Sequence, residues 1–329
     1  MPDFCSTSYL YLKDNRPFEK SIQSGIQKYG LNFGGSRFNN MCPPVYDEAE
    51  KYFSDFLGTE DSLITSSGTL AGVLLTSHLS EISNIEIFAG YDVHPSLLAS
   101  RMKYEVFDDI NNLNTKLRLS KNKFHKYILV NSINPSTLNC LNSEKLIRFK
   151  DCRDVTFVID DSHGLGIIGQ EGKGFSTMMK ENNLDFVIVA SLAKAYGIRG
   201  GLISGNGRII SALRNSTLWG GASPSPPFFF HALLESGKIY QEELFKLREN
   251  IVYFRQLSSD SGYFKYIDDF PVFLCNQHCD NKLLKKKNMI ISSFRYPTKN
   301  DPLIQRIVLN SGHTQNQLFD LYSVLKDAF

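Results

Sequence analysis

A single lysine, Lys194, stands among small residues in "SLAKAYGIRGG" (Ser191 to Gly201), directly after the apolar run "DFVIVA". Lysines are mostly exposed, and alone this one reads as an ammonium snorkelling out of a strand end. A second apolar run, "VIDDSHGLG" (Val158 to Gly166), delivers Asp160 to its end, with His163 three residues later. A buried carboxylate is costly unless a cation or strong donors accompany it, so Asp160 calls for a specific partner. A third stretch, "TSSGTLAG" (Thr65 to Gly72), is a small hydroxylated turn that opens a helix. Free N–H groups and the positive helix end make such a turn, with Ser67, Gly68 and Thr69 at its start, a phosphate site. Lysine, buried aspartate and phosphate cradle together are what pyridoxal phosphate (PLP) requires. The lysine forms a Schiff base, and the aspartate holds the proton on the pyridine nitrogen. Ser191, one turn before Lys194, adds a hydroxyl on the phosphate side.

The elements that must position these residues are legible as patterns. "IEIFAG", "KYILVNS", "VTFVIDDSHG" and "DFVIVAS" are short, β-branched and nearly continuous in apolar residues, as strands buried on both faces are. They alternate with polar or helical stretches, which predicts an α/β fold: a mostly parallel central sheet covered by helices. In such sheets ligands bind beyond the carboxyl ends of the strands, where Asp160, His163 and Lys194 fall. "VYDEAEKYFSDFLG" has helical spacing, an acidic start and a terminal glycine. "SPSPPFF" (Ser223 to Phe229) is the best linker, followed by one helix, "FFFHALLESGKIYQEELFKLREN". These boundaries divide the chain into an N-terminal segment (1–44), a large domain (45–222) and a small C-terminal α+β domain (223–329).

In combination the motifs resemble the α-oxoamine synthases, the PLP enzymes of fold type I that include 8-amino-7-oxononanoate synthase and 2-amino-3-ketobutyrate CoA ligase. "CSTSYLYL" is similar to their "FSSNDYLGL", "KYGLNFGGSR" to the glycine-rich stretch ending in GSR, and "IDDSHGLGIIGQEGKG" to "vDdAHgtGvlGexGrG". "YDVHPSLLAS", "SLAKAYGIRGG", "SPSPP", "FRYPT" and "RIVLNSGHT" follow in the family's order. The resemblance implies that Lys194 carries the cofactor, Asp160 pairs with its ring nitrogen, and His163 hydrogen-bonds its phenolic oxygen. It implies that His94 stacks on the ring, and that Ser67, Gly68, Thr69 and Ser191 hold the phosphate. Ser223 reaches in from the partner of a homodimer, and Arg295 receives the amino-acid carboxylate through its planar fork. Arg306, inside a strand-like run, reads as structural. The reaction implied joins a small amino acid to an acyl-CoA, with another CoA-independent PLP reaction (an aminotransferase or aldolase-type lyase) or a non-catalytic relative as alternatives.

The departures are Ser162 for the family's alanine, and "NSINPSTLN" (Asn131 to Asn139) for "ESVFSMDGD", with Asn131 in place of the glutamate. The chain also begins close to the "FSSNDYLGL"-like segment, without the preceding stretch that contributes to acyl-CoA contacts in relatives. Composition excludes little else. The 329 residues are 42% hydrophobic and 21% charged, and the net charge of +2 gives no reason to expect nucleic acid. No apolar stretch approaches the ~18 residues of a membrane span, and the first residues lack a signal-peptide layout, so the expectation is a cytoplasmic protein. Six scattered cysteines read as free thiols. "CNQHC" (Cys275 to Cys279) lacks the companion pair a zinc site needs, so no metal is expected.

Overall fold

The structure is a computed structural model that describes residues 2–99, 101–120, 123–150, 152, 154–296 and 298–329. Ser100 and Pro297 of the quoted motifs lie outside the described residues. Seven strands form the main sheet: β1 (Asp61–Thr65), β2 (Ile85–Gly90), β3 (Glu105–Phe107), β4 (His125–Asn131), β5 (Val155–Asp160), β6 (Asp185–Ser191) and β7 (Gly201–Gly205). Their order is β1-β7-β6-β5-β4-β2-β3. All neighbours from β6 to β3 pair in parallel, while β7 runs antiparallel to both β6 and β1. The expectation of a mostly parallel sheet is met. β7 was hidden in the sequence because glycines bracket its only three side chains.

Both faces of this sheet are covered. Phe157, Ile159 and Ile188 pack into one apolar core, and Val158, Val187 and Val189 into another on the opposite face. The covering helices include α1 (Arg16–Tyr29), α2 (Val45–Leu57), α3 (Gly68–Glu81), α4 (Ile110–Leu119), α5 (Ser143–Leu146) and α6 (Ser176–Glu181). They continue with α7 (Gly207–Arg214), α8 (Thr217–Gly221), α9 (Pro227–Glu235) and α10 (Gly237–Ser258). α2 has Asp47 and Glu48 in its first turn and ends at Gly58 in the left-handed region, as its sequence pattern predicts. The run expected as one helix after the prolines is instead two, α9 and α10. Ser236 between them leaves helical geometry, with φ −110° and ψ 15°.

A second, antiparallel sheet of β8 (Phe264–Tyr266), β9 (Val272–Cys275), β10 (Ser292–Arg295) and β11 (Leu303–Val308) has the order β10-β11-β9-β8. α11 (Asn281–Lys286) and α12 (Gln315–Ala328) accompany it, and α12 packs on α10. α9 packs against α1 and α2, and the Tyr46 hydroxyl donates to the Ser225 carbonyl, so the start of this C-terminal stretch sits on the main sheet's helices. The first residues do the reverse. Phe4 pairs with Ile291, and its carbonyl accepts the Val308 N–H, which joins the N-terminus to the small sheet.

Candidate active site

The register of the main sheet sets the site. Asn131, Asp160 and Val189 are neighbours across β4, β5 and β6, at the carboxyl ends of three parallel strands. Asp160 is buried, and its Oδ1 accepts the Ser162 N–H at 3.0 Å. Its Oδ2 lies 3.8 Å from His94 Nδ1. Ser162, which departs from the family's alanine, accepts the Ser191 N–H through its hydroxyl at 2.9 Å and so ties the ends of β5 and β6 together.

Lys194 Nζ lies 2.8 Å from His163 Nε2. Burial draws the Lys194 amine down to about 8; Asp160 opposes that shift and Arg306 adds to it. Burial also holds His163 well below its ordinary value, helped by Lys194, Arg306 and His94, so its imidazole is neutral. The other ring nitrogen, Nδ1, is 2.7 Å from the hydroxyl of Tyr9, a fully buried residue to which the sequence reading gave no role. His94 precedes a short 3-10 turn (Pro95–Leu97), and its Nδ1 accepts the Ser96 N–H at 3.2 Å. Asn131 holds this loop: its Oδ1 accepts the His94 N–H at 3.1 Å, and its Nδ2 donates to the Asp92 carbonyl at 2.6 Å.

The first turn of α3 meets the same strand ends. A Cβ on Gly68 would fall 2.7 Å from Ser191 Cβ, so only glycine lets the helix start this close to β6. Ser67 caps the helix by accepting the Leu70 N–H at 3.1 Å. Helix geometry leaves the Gly68 and Thr69 N–H groups without an intrahelical acceptor. Ser67, Gly68, Thr69 and Ser191 thus gather where an anion would lie, with the positive end of the helix behind it.

Two sequence candidates stand apart from this cluster. Ser223 is exposed and lines a small recess with Ser66, Leu70, Arg37 and Trp219 of its own chain, beside the start of α3. Arg295 is exposed, and its guanidinium donates to the Asp301 carbonyl on the adjoining turn. Among the described residues no hydrogen bond or ion pair joins it to Lys194, His163 or Asp160. Arg306, read from the sequence as structural, is the cation that couples to Lys194 and His163. It is buried, donates to the Pro135 carbonyl at 2.9 Å and lies 5.1 Å over the Phe294 ring. Its Nε has no partner among the described residues, and no carboxylate pairs with it there. Burial lowers its pKa. The signal that marks it is this unsatisfied burial, which a lone sequence does not display.

A cavity of about 400 Å³ opens at the opposite ends of the strands between His125, Tyr127, Thr156, Asp185 and Arg208, away from Lys194. Among the described residues there is no cluster of three or more metal-ligating side chains, and no helix is long and apolar enough to cross a membrane.

The profile of the family described as "Aminotransferase class I and II" matches residues 1–325. The chain belongs to that family. An 8-amino-7-oxononanoate synthase of Nitrosomonas eutropha is 24% identical over 344 residues, covering 98% of this chain and 88% of the relative. A serine palmitoyltransferase of Sphingobacterium spiritivorum is 25% identical over 337 residues, covering 96% and 83%. Among solved structures, serine palmitoyltransferase of Sphingomonas wittichii superposes with a TM-score of 0.86 at 18% identity, over 99% of this chain and 86% of that one. 8-Amino-7-oxononanoate synthase from Francisella tularensis gives 0.75 at 21% identity, over 99% and 96%. These relatives are α-oxoamine synthases, as the motifs implied, and the fold is type I. The protein is accordingly a PLP-dependent transferase; a solved serine palmitoyltransferase with PLP shares its fold, with a TM-score of 0.87. The residues present fit the cofactor: an amine drawn down to about 8, a buried carboxylate whose Oδ2 accepts no hydrogen bond among the described residues, and a helix start open to a phosphate.

The loop that carries His163 is built around a second buried acid. Asp161 is fully buried, its Oδ2 accepts the Phe175 N–H at 3.0 Å, and the Ser132 hydroxyl faces its carboxyl. Gly174, at φ +64°, leaves it room: a Cβ there would sit 2.0 Å from Asp161 Oδ2. Burial raises the Asp161 carboxyl from about 3.8 to about 7, with Asp160 adding repulsion against the opposing hydrogen bonds. Between those values the folded chain holds a proton that the unfolded chain has released, so stability falls as pH rises through the window. Asp161→Asn keeps the shape, can accept from Phe175 and can donate to Ser132. Urea denaturation across this range is expected to show a flatter pH profile for Asp161→Asn. Above the window the variant should be more stable than the wild type, by on the order of a few kcal/mol. An unchanged slope would contradict the buried-acid assignment.

Proposed function

We propose that the protein condenses a small amino acid with an acyl-CoA to give an α-oxoamine, as its 8-amino-7-oxononanoate synthase and serine palmitoyltransferase relatives are named for doing with theirs. The observation that carries this reading is the convergence of Lys194, His163, Asp160 and the start of α3 at one set of strand ends. Bound PLP supplies an electron sink for a carbanion at the amino acid Cα. The chain's own residues do the rest.

Lys194 would hold the cofactor, and its Nζ takes and returns the proton at the amino acid Cα as general base. An amine near 8 suits both directions of that transfer at neutral pH. Asp160 would keep the cofactor's ring nitrogen protonated, an opposite-charge pairing that favours both charged forms. His94 would pack against the cofactor ring, and Asn131 fixes the His94 loop. His163 would offer a ring N–H to the cofactor's phenolic oxygen, and Gly68, Thr69 and Ser191 would hold its phosphate.

For the substrate carboxylate, the geometry favours Arg306 over Arg295. A buried guanidinium without a carboxylate is expensive, and an amino acid brings the missing anion. The same reading includes a second copy of the chain. Leu31, Phe38 and Met41 are exposed in the loop between α1 and α2, and Phe38 packs against Trp219, which lines the recess of Ser223. A partner seated there would bring its Ser223 toward the phosphate.

The test is a screen of glycine, alanine and serine against acyl-CoAs of increasing chain length, read as free CoA release. Release that needs both substrates is expected, with none from Lys194→Ala. Transamination or aldol cleavage without CoA would overturn the reading. Charged hydrogen bonds contribute about 1.5–3 kcal/mol. Arg306→Ala should therefore lower kcat/KM for the amino acid by roughly 10- to 150-fold, while Arg295→Ala changes it little. The opposite order would return the carboxylate to Arg295.

A further inference from the structure

Tyr9 joins two parts of the molecule at a single hydroxyl. Its backbone carbonyl accepts the Ser311 N–H at 3.0 Å, and its ring packs 6.2 Å from that of Phe270, both beside the small sheet. Its hydroxyl reaches His163, on the loop after β5. His163 therefore stands between Tyr9 at Nδ1 and Lys194 at Nε2, with contacts of 2.7 and 2.8 Å.

These two contacts are not independent. A neutral imidazole has one donor and one acceptor nitrogen. A protonated Lys194 can only donate, so Nε2 must accept, the ring proton sits on Nδ1, and the Tyr9 oxygen accepts it. Once Lys194 is neutral its nitrogen has a lone pair, so Nε2 can carry the hydrogen and donate it there, and Tyr9 can donate its O–H to Nδ1. Only a group that both donates and accepts satisfies Nδ1 in both states, and a hydroxyl is such a group. Burial keeps Tyr9 protonated by raising its pKa. The charged and titratable groups facing this trio are Asp160 and Arg306 around Lys194, Arg306 and His94 around His163, and Arg306 beside Tyr9.

We infer that Tyr9 is a positioning residue that lets His163 exchange tautomers with the protonation state of Lys194, turning an N–H from Nε2 into the site whenever the amine has lost its proton. The inference rests on the reading of this cleft as the active site. It explains why a hydroxyl, rather than another ring of the apolar core, sits behind His163. The small sheet holds the hydroxyl and the main sheet holds the imidazole, so His163 is correctly set only when the two are together.

The test is ¹⁵N spectroscopy of the histidine-labelled full-length chain, first without and then with PLP. Without PLP, wild-type His163 should be the Nδ1–H tautomer well below the Lys194 titration near 8 and the Nε2–H tautomer well above it. Tyr9→Phe keeps the ring and removes the hydroxyl, and the exchange should be lost. A single wild-type tautomer on both sides of the titration would overturn the inference, whether or not the variant folds. So would an exchange in Tyr9→Phe at the wild-type pH. With PLP bound through Lys194, the free ammonium that obliges Nε2 to accept would be gone, and His163 should be Nε2–H throughout. Exchange that persists unchanged in the loaded protein would count against Lys194 as the cofactor lysine while supporting the coupling itself.

Discussion

Lys194 lies where β6 runs out, between a carboxylate, an imidazole and a guanidinium, and burial draws its amine down to about 8. The balance of charge around it is lopsided. Lys194, Arg306 and the start of α3 are positive, while among the described residues Asp160 is the carboxylate that couples to the amine. A pocket so composed favours a ligand with two separated negative groups and a protonated ring nitrogen, and PLP carrying an amino acid has both. The closeness of α3 to β6 follows from the same demand. Gly68 packs on Ser191, and a Cβ on Gly201 would fall 2.2 Å from the Ser67 carbonyl oxygen, so two glycines hold the helix start against the strand ends.

Much of this was legible because it is local. Near-continuous apolar runs mark β4, β5 and β6, and a chemical residue at the end of such a run is where parallel sheets place their ligands. What was not legible depends on contacts distant in sequence. Tyr9 meets His163 across 154 positions, and nothing in "CSTSYLYL" distinguishes a core tyrosine from one that hydrogen-bonds the site. The two arginines lie in unlike surroundings. Arg295 sits in a motif that looks like a carboxylate site, yet its end of β10 is exposed and its guanidinium is held by the next turn. Arg306 sits in a strand-like run that looks structural, yet β11 is buried there, which leaves a guanidinium facing the site without an anion. Burial tells them apart, and burial belongs to the fold.

The N-terminal residues matter for the same reason. Phe4 pairs with the small sheet, and the Asp3 carbonyl accepts from Asn310 and contacts His313 Nε2 at 3.0 Å. A few residues later Tyr9 reaches His163. The strap thus transmits the position of the small sheet to a ring nitrogen beside Lys194. The "NSINPSTLN" stretch does similar work on the other side. Asn131 and Asn134 hold Asp92 next to the His94 loop, and the Pro135 carbonyl anchors Arg306. The residues that depart from the family's pattern are therefore not idle substitutions. They hold the loop of His94 and one edge of Arg306.

The central claim is that one buried lysine at the end of β6 holds the cofactor. Borohydride reduction of the PLP-loaded protein, followed by peptide mass spectrometry, tests it most directly. The account predicts a single pyridoxyl label, on Lys194, in the peptide that contains "SLAKAYG". A label on another lysine, or a loaded protein that acquires none, would contradict it.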